Sequence, residues 1–156
     1  MIEIDIPGYG TLRLEHLVLD YNGTLSRDGK LLPGVVDRIR TLSRHLAIHV
    51  LTADTFGSVK KELSMLPCRL YIIPREEQAE AKASYTAELG IDRTVCVGNG
   101  RNDRLMLKRA ALGIAVLQDE GTAAESLMAA DLSTPGILEA LDLLLFPRRL
   151  IATLRS

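Results

Sequence analysis

Short apolar runs alternate with amphipathic stretches along most of the chain, a pattern typical of strands separated by helices. The beginning differs, because residues 2–6 and 12–15 strictly alternate apolar and polar positions around turn residues at 7–10. These stretches predict a β-hairpin, which we expect to extend one edge of a sheet. His16 follows directly, and we expect it to have a structural role.

After the hairpin, the pattern predicts strands and helices in alternation. The strands fall at residues 17–19, 47–51, 69–73, 94–97, 112–117 and 131–133, and the helices at 35–46, 56–66, 76–89, 105–111, 122–130 and 137–146, followed by a short basic tail. Asp54 or Thr55 should cap the second helix. Because the connections are short, we predict an α/β fold with a doubly wound parallel sheet and helices on both faces.

The composition fits one domain over residues 1–156. Hydrophobic residues make up 47% and charged residues 25%, which is typical of a globular protein. The formal net charge of -1 provides no basic field for nucleic acid or a membrane surface, and Trp is absent. No apolar run approaches the roughly 20 residues of a membrane span, and signal-peptide features are missing, so we expect a cytoplasmic location.

The cysteines and two of the histidines give no sign of a metal site. Cys68 and Cys96 lie in or beside apolar runs, where we expect them to be small buried side chains. His45 and His49 are four residues apart, but the second strand begins between them, so they should not share a helix face.

The clearest candidate for chemistry is Asp20, which follows a buried strand and precedes a chain break at Gly23. Open α/β sheets bind ligands at the carboxyl ends of their strands. A carboxylate there can attack phosphorus or bind magnesium. Asp, Asn and Gly are also ordinary turn residues, so these residues alone leave a plain turn open.

Polar or basic residues follow other strands as well: Thr52, a basic residue that is either Arg75 or Lys82, and the stretch from Asn99 to Asp103. In a doubly wound sheet these strand ends converge on one edge. They supply what phosphoryl transfer needs: a nucleophile, a hydroxyl donor, a cation, and a second carboxylate for magnesium. Lys82 lies one to two turns into its helix, from where it can reach this edge.

These motifs resemble those of the haloacid dehalogenase (HAD) superfamily and, within it, the soluble relatives of the P-type ATPase phosphorylation domain. The matches are Asp20-Tyr21-Asn22-Gly23-Thr24 to Asp-x-Asp-Gly-Thr, Leu51-Thr52-Ala53-Asp54 to Leu-Thr-Gly-Asp, Lys82 to the family lysine, and Gly98-Asn99-Gly100-Arg101-Asn102-Asp103 to Gly-Asp-Gly-x-Asn-Asp. The resemblance spans about residues 17–135.

The resemblance implies a HAD-type Rossmann-like core and an Mg²⁺-dependent phosphatase or phosphotransferase that forms an aspartyl-phosphate on Asp20. It implies catalytic roles for Asp20, Asn22, Thr52 and Lys82. It implies phosphate binding by Asp20, Gly23, Thr52, Ala53 and Lys82, and metal binding by Asp20, Asn22, Asn99 and Asp103.

Two positions depart from the family pattern. Asn22 replaces the Asp that the family's phosphatases use as general acid and base, and an amide cannot exchange a proton as a carboxyl does. Asn99 replaces an Asp near the metal and removes one negative charge. We therefore expect slow turnover, and the alternative is a catalytically weak or inactive regulatory or binding module.

The family inserts cap domains after its first motif or between its second and third. Residues 26–32 and 57–75 leave no room for one, so the site should be open to water. An open site suits a bulky or macromolecular phosphorylated substrate, or closure by a neighbouring subunit in a homo-oligomer. We expect the apolar last helix, residues 137–146, to belong to the core rather than to an interface.

Two nucleotide-binding alternatives are weaker. Gly98-x-Gly100 between a strand and a helix also resembles a dinucleotide fingerprint, with Asp119 about 20 residues further on. Its third glycine is replaced by Asp103, whose charge would repel a pyrophosphate. ATPase activity is also disfavoured, because P-type ATPases bind nucleotide in a separate domain that has no counterpart in this sequence.

Overall fold

The computed structural model describes residues 1–54 and 58–156. The strands in this part of the chain are β1 (Ile2–Ile6), β2 (Gly10–Leu14), β3 (His16–Asp20), β4 (Ser26–Arg27), β5 (Lys30–Leu31), β6 (Ala47–Thr52), β7 (Arg69–Ile72), β8 (Thr94–Gly98), β9 (Leu112–Val116) and β10 (Leu132–Thr134). A six-stranded parallel sheet has the order β10-β9-β8-β3-β6-β7, with Leu17 opposite Ile48 and Val95. The predicted doubly wound parallel sheet is confirmed.

The helices of the described residues are α1 (Val35–Leu42), α2 (Ser58–Glu62), α3 (Gln78–Leu89), α4 (Arg104–Arg109), α5 (Ala124–Ala129), α6 (Ile137–Leu145) and α7 (Pro147–Leu154), with 3-10 turns at Leu63–Met65, Ile91–Arg93 and Arg101–Asp103. The six predicted helices are present, most of them shorter than expected. The predicted beginning of the second helix at residue 56, and Thr55 as its cap, lie outside the described residues.

The strands present alternate residues to two apolar cores on opposite faces of the sheet. Leu17 and Leu19 of β3 face the larger core, which includes residues of α1, α6 and α7. Val18 faces the smaller core, together with residues of α3 and α4. Four α6 residues are buried in the larger core, namely Ile137, Ala140, Leu141 and Leu144, which confirms that this helix belongs to the core. Each fully buried Leu, Ile or Val side chain contributes about 1.5–3 kcal/mol, so burial on both faces fixes the strand register.

The N-terminal hairpin does not extend the main sheet, and that prediction was wrong. β1 and β2 form a separate two-stranded antiparallel sheet. β2 runs into β3 through Glu15, and β3 is a central strand with β6 and β8 along its two edges. The hairpin therefore has no edge within its reach. It packs its apolar face onto the larger core through Ile4, Ile6, Leu12 and Leu14.

Two elements were not predicted. The polar stretch after Leu25 forms the β4–β5 hairpin, turned at Asp28 and Gly29 with φ of 52° and 78°, the conformation that an Asp-Gly turn favours. The buried Tyr21 donates its hydroxyl to the Gly29 carbonyl at 2.8 Å. The basic tail forms α7, because Pro147 suits a first helical turn and Leu150 is fully buried.

The carboxyl ends of the strands carry no cap domain in the part of the chain that is described. The small β4–β5 hairpin lies between β3 and α1, and α2 with its 3-10 turn lies between β6 and β7. The prediction of an uncapped core is confirmed. None of the described helices combines the length and apolar character needed to cross a membrane.

The two spaced histidines and Cys96 behave as the sequence indicates, whereas Cys68 is less buried than expected. Cys96 is fully buried, Cys68 is half-buried, and both are free thiols. Burial raises the pKa of both thiols, that of Cys96 to about 12, so they are protonated at neutral pH. His45 is exposed after α1 and His49 is buried within β6, so the two side chains share no face.

Candidate active site

The ends of β3 and β8 flank the point where the strand order of the sheet reverses. From β3 the chain moves outward through β6 and β7, and it then returns to β8 on the other side of β3. Asp20 ends β3, Thr52 ends β6, and Asn99 directly follows β8. Doubly wound sheets bind ligands in the crevice at this switch point, so the candidate site lies here.

Lys82 connects the two candidate carboxylates. Its side chain is fully buried, and Nζ lies 2.6 Å from Asp20 Oδ1 and 2.6 Å from Asp103 Oδ1. Burial alone would lower the pKa of Lys82, but the charges of Asp20 and Asp103 more than offset this and raise it above its ordinary value. Lys82 is therefore a permanent cation. The other predicted candidate, Arg75, is exposed before α3.

Asp103 is held by protein donors on both of its oxygens. Oδ1 accepts the bond from Lys82, while Oδ2 accepts the backbone N–H groups of Asn99 at 3.0 Å and Gly100 at 2.9 Å. A Cβ at Gly98 would lie 2.5 Å from this carboxylate, so the close approach requires glycine. Burial and the Asp20 charge raise the pKa of Asp103, although Lys82 opposes the shift. Its predicted role as a metal ligand stays a prediction.

The hydroxyl of Thr24 lies between Asp20 and Asn99. Thr24 Oγ1 is 3.0 Å from Asp20 Oδ2 and 3.2 Å from Asn99 Oδ1. Asn99 Nδ2 donates to the Gly121 carbonyl at 2.9 Å, which turns the amide oxygen toward Thr24. Sequence reasoning did not single out Thr24 as a site residue, although it belongs to the Asp20 motif. Its spacing of four residues from Asp20 was the available signal.

The remaining predicted residues border this cluster. The exposed Asn22 places Nδ2 3.5 Å from Thr52 Oγ1, which also accepts the Asp54 backbone N–H at 3.1 Å. Ala53 is half-buried between them in sequence. Gly23 has φ 78°, and a Cβ there would lie 2.4 Å from Asn99 Nδ2. The structure thus brings Asp20, Lys82, Asn99 and Asp103 into one hydrogen-bonded group, while Asn22 and Thr52 pair with each other beside it.

The side chains at the site suit a hard cation, although their own net negative charge is modest. In the described residues, no cluster of three or more His, Cys, Asp or Glu side chains is placed to hold a metal ion. However, Asp20 Oδ2 and Asn99 Oδ1 both face the Thr24 hydroxyl, and this hydroxyl has one proton to donate. Two carboxylates and one ammonium also leave one negative charge uncompensated. Oxygen ligands and negative charge are what Mg²⁺ prefers.

The two acidic residues of the dinucleotide alternative, Asp103 and Asp119, make other contacts in the structure. Asp103 is enclosed by Lys82 and two backbone amides at the turn where a pyrophosphate would bind. Asp119 forms an exposed ion pair with Arg27 at 2.6 Å. These contacts favour a carboxylate-centred site over a nucleotide-binding turn.

Two curated proteins of Methanocaldococcus jannaschii are similar to this chain, whereas no protein-family model matches it. Uncharacterized protein MJ0073 is 46% identical over 64 residues, which cover 41% of this chain and 69% of that protein. Uncharacterized protein MJ0072 is 44% identical over 39 residues, which cover 25% and 89%.

Solved structures with the same fold are more distant in sequence. The 3-deoxy-D-manno-octulosonate 8-phosphate phosphatase of Moraxella catarrhalis, in complex with magnesium, phosphate and KDO, has a TM-score of 0.72 at 16% identity, covering 91% of this chain and 94% of that one. The cobalt-bound form of the Haemophilus influenzae phosphatase has a TM-score of 0.72 at 13% identity, covering 92% and 94%. A Streptomyces avermitilis protein described as a HAD family hydrolase has a TM-score of 0.70 at 20% identity, covering 87% of each chain. The chain thus belongs to the family of MJ0073 and has the fold of HAD-family hydrolases.

Proposed function

We propose that the chain is a divalent-metal-dependent phosphohydrolase or phosphotransferase that works through an aspartyl-phosphate on Asp20. The observation that carries this proposal is the buried Lys82, fixed between Asp20 and Asp103 at the switch point of the sheet. A buried lysine between two carboxylates at a ligand-binding edge is costly for a fold that gains only stability from it. HAD-type phosphatases of the same fold support the assignment.

In the proposed reaction, an Asp20 carboxylate oxygen forms a bond to phosphorus while the bond from phosphorus to the leaving oxygen breaks. The leaving oxygen takes a proton from water. Lys82 and the Thr52 hydroxyl stabilise the negative charge of the phosphoryl oxygens, and Ala53 contributes a backbone N–H group. The N–H of Gly23, the other predicted phosphate-binding residue, is donated to the Ser26 carbonyl at 3.1 Å, so it would have to exchange this partner to contact phosphate. In hydrolysis, water then attacks phosphorus, which releases phosphate and restores the Asp20 carboxylate. In phosphoryl transfer, the hydroxyl of an acceptor alcohol attacks phosphorus instead, which gives a new phosphate ester and restores the same carboxylate.

Asp20 and Asn99 would hold the metal ion through their side-chain oxygens, with Asn22 and Asp103 as further predicted ligands. When bound, a magnesium ion would neutralise charge on the phosphoryl group. Asn99 makes this binding weaker than a second carboxylate would, because an amide oxygen carries no net charge.

Asn22 should make the second half of the reaction slow. Its exposed amide occupies the position of the family's acid and base and cannot activate water by taking a proton. The aspartyl-phosphate should therefore persist, as the resemblance to the P-type ATPase branch also implies. The same replacement, with Asn99, favours the second candidate: a module that binds a phosphorylated ligand without efficient turnover.

The substrate is proposed only as a class. The uncapped strand ends leave room for a bulky or macromolecular phosphate ester, and a second copy of the chain could complete the site. The phosphatases of similar fold act on 3-deoxy-D-manno-octulosonate 8-phosphate, and this sugar phosphate is a reasonable first compound to test.

The test measures thermal stability with beryllium fluoride or aluminium fluoride, with and without magnesium, in the wild type, Asp20→Asn and the exposed control Asp92→Asn. A ligand at 100 times its Kd should stabilise the folded state by about 2.7 kcal/mol. We expect a magnesium-dependent increase in the wild type and the control that Asp20→Asn abolishes.

Hydrolysis of an aryl phosphate separates the two candidates. Turnover that EDTA and Asp20→Asn both abolish supports the enzyme. Ligand-induced stabilisation without turnover supports the binding module. An Asp20→Asn protein that keeps full magnesium-dependent activity would refute the aspartyl-phosphate.

A further inference from the structure

Gln118, in the loop after β9, makes three hydrogen bonds that join three parts of the molecule. Its Nε2 donates to the carbonyls of Gly23 and Thr24, both at 2.8 Å. Its Oε1 accepts the backbone N–H of Ile137 at 2.8 Å, at the first residue of α6. A half-buried side chain of this loop therefore connects the Asp20 loop, residues 20–26, to a core helix.

The orientation of the Gln118 amide follows from its partners. Ile137 is 1% exposed, and its N–H needs an acceptor because the first N–H groups of a helix have no partner within the helix. A flipped amide would bring two donors together at Ile137 and two acceptors together at Gly23. The observed orientation points both Nε2 hydrogens at the Asp20 loop and satisfies each group.

The hydrogen bonds within the Asp20 loop hold the loop together but do not fix its position relative to the sheet. Contacts with residues outside the loop fix that position. The Tyr21 carbonyl accepts the N–H groups of Thr24, Leu25 and Ser26 at 3.0–3.2 Å, so the loop forms a closed turn. Gln118 attaches to the side of this turn that carries Thr24. Thr24 in turn contacts Asp20 Oδ2 at 3.0 Å through its hydroxyl.

We infer that Gln118 is a positioning residue for Asp20: by holding the backbone of Gly23 and Thr24 against α6, it sets the Thr24 hydroxyl that orients the Asp20 carboxylate. Among the described residues, the Gln118 side chain is hydrogen-bonded to the Gly23 and Thr24 carbonyls and to the Ile137 N–H rather than to the Asp20 carboxylate, so it acts on Asp20 through the loop. This inference rests on the proposed function insofar as Asp20 is the group that reacts. Nearly linear attack on phosphorus makes such positioning important, because an error of about 1 Å in the nucleophile can cost roughly a hundredfold in rate.

The test compares two opposite acid–amide exchanges in one loop. Gln118→Glu keeps the size and the acceptor for Ile137 but replaces Nε2 with an oxygen that faces two carbonyls. Glu120→Gln is the matched control, because Glu120 is exposed two residues away. Gln118→Met, which removes the polar atoms at similar volume, serves if Gln118→Glu does not fold.

Two measurements are made on each folded protein. The first is amide hydrogen exchange of residues 23–26 without ligand. The second is the magnesium-dependent rise in melting temperature with beryllium fluoride. We expect exchange at least tenfold faster in Gln118→Glu and a ligand-induced rise reduced by at least half, with wild-type values in Glu120→Gln. A residue that supported only overall stability would lower the melting temperature without ligand and leave the ligand-induced rise unchanged.

Each outcome decides the inference. Unchanged exchange in both Gln118 variants overturns it, since the loop is then held without the amide. Faster exchange with an unchanged ligand-induced rise also overturns it, because the loop would not position the reacting group. If the wild type shows no ligand-induced rise, the proposed function fails, and exchange alone decides whether Gln118 positions the Asp20 loop.

Discussion

Two polar clusters lie along the same helix, α3, and the same strand, β3, and they differ in charge and in burial, since the first is buried and the second only partly so. The acidic cluster consists of Asp20, Lys82 and Asp103, and the histidine cluster consists of His16, His49 and Tyr85. β3 contributes Asp20 at one end and His16 at the other, while α3 contributes Lys82 and Tyr85 one turn apart. His49 lies 3.2 Å from His16 Nδ1 through Nε2 and 2.8 Å from the Tyr85 hydroxyl through Nδ1.

The side chains of the histidine cluster form hydrogen bonds with one another while they are neutral. Burial lowers the pKa of His49 to about 4, with further contributions from His16 and Arg69, so the imidazole is neutral at pH 7. The acidic cluster keeps its ions and has one negative charge to spare. Because a fold can bury polar groups more cheaply as neutral hydrogen-bonded networks, the retained charge marks the end of the sheet where ligand chemistry is expected.

The largest loss of folding stability should come from removing the Lys82 cation from the acidic cluster. Lys82→Met leaves two buried carboxylates facing each other without a partner for Oδ1 of either. Breaking a buried ion pair in this way costs about 3–5 kcal/mol, and urea unfolding at pH 7 measures it. We also expect phosphoryl-analogue binding to be lost.

The exposed Lys108→Met on α4 is the control for removing a lysine from a helix, and it should change stability by less than about 0.5 kcal/mol. Adding Asp103→Asn to Lys82→Met should restore part of the loss, because one of the two uncompensated charges is removed. A loss below about 1 kcal/mol in Lys82→Met would contradict the assignment of full charge to this cluster.

Lowering the pH should reduce the contribution of the histidine cluster to folding stability. Because the pKa of His49 is lower in the folded protein than its ordinary value of 6.5, the unfolded chain binds a proton first as the pH falls. Its contribution to stability is present above pH 6.5 and is lost as the pH falls from 6.5 toward 4. We expect this contribution to be on the order of 3 kcal/mol, because each pKa unit between 6.5 and about 4 corresponds to about 1.4 kcal/mol.

The measurement compares wild type with His49→Gln by urea unfolding between pH 4 and 7. The variant should lack the His49 part of the pH dependence while remaining uncharged beside His16, Arg69 and Tyr85. The comparison is needed because Asp103, whose pKa is raised, acts in the opposite direction and loses its contribution as the pH rises. Parallel pH curves for the two proteins would show that His49 does not titrate as the structure indicates.

The sheet could be predicted from the sequence because its strands are short apolar runs punctuated by glycine, proline and polar residues. Residues 94–97 predicted β8 and residues 112–117 predicted β9 nearly to the residue. The hairpin was misplaced for a topological reason, since periodicity does not show that β3 is central. α7 was missed because the arginines of residues 147–155 obscured the apolar face that contains Leu150.

The candidate site divides in the same way. Asp20, Lys82 and Asp103 could be found because charged residues near strand ends stand out in sequence. Thr24 was overlooked although its spacing of four residues from Asp20 was an available signal. Gln118 could not be found, because its role depends on amide bonds across 94 and 95 residues of chain. Neutral polar side chains are common on protein surfaces, and sequence spacing gives no measure of how far such a residue is buried against a motif.

A substitution that changes packing but not charge tests how rigidly the site around Asp20 is held. Gly23 and Gly29 both have φ 78°, a conformation that costs other residues energy. A Cβ at Gly23 would lie 2.4 Å from Asn99 Nδ2, whereas a Cβ at Gly29 meets no atom within 4 Å. Gly23→Ala should therefore destabilise the fold by about 1 kcal/mol more than Gly29→Ala. Equal losses in urea unfolding would mean that Asn99 moves aside freely and does not hold the site rigidly.

The smallest effect is expected from an ion pair that has charge without burial. Arg27 and Asp119 are 2.6 Å apart, as close as Lys82 and Asp20, but both side chains are more than half exposed. Water and salt screen such a pair, and holding two long side chains together costs conformational entropy. Asp119→Asn should leave the urea midpoint at pH 7 unchanged within error, at both low and high salt. A loss comparable to that of Lys82→Met would show that distance rather than burial sets the strength of ion pairs in this protein, and the retained charge of the acidic cluster would then cease to mark a functional site.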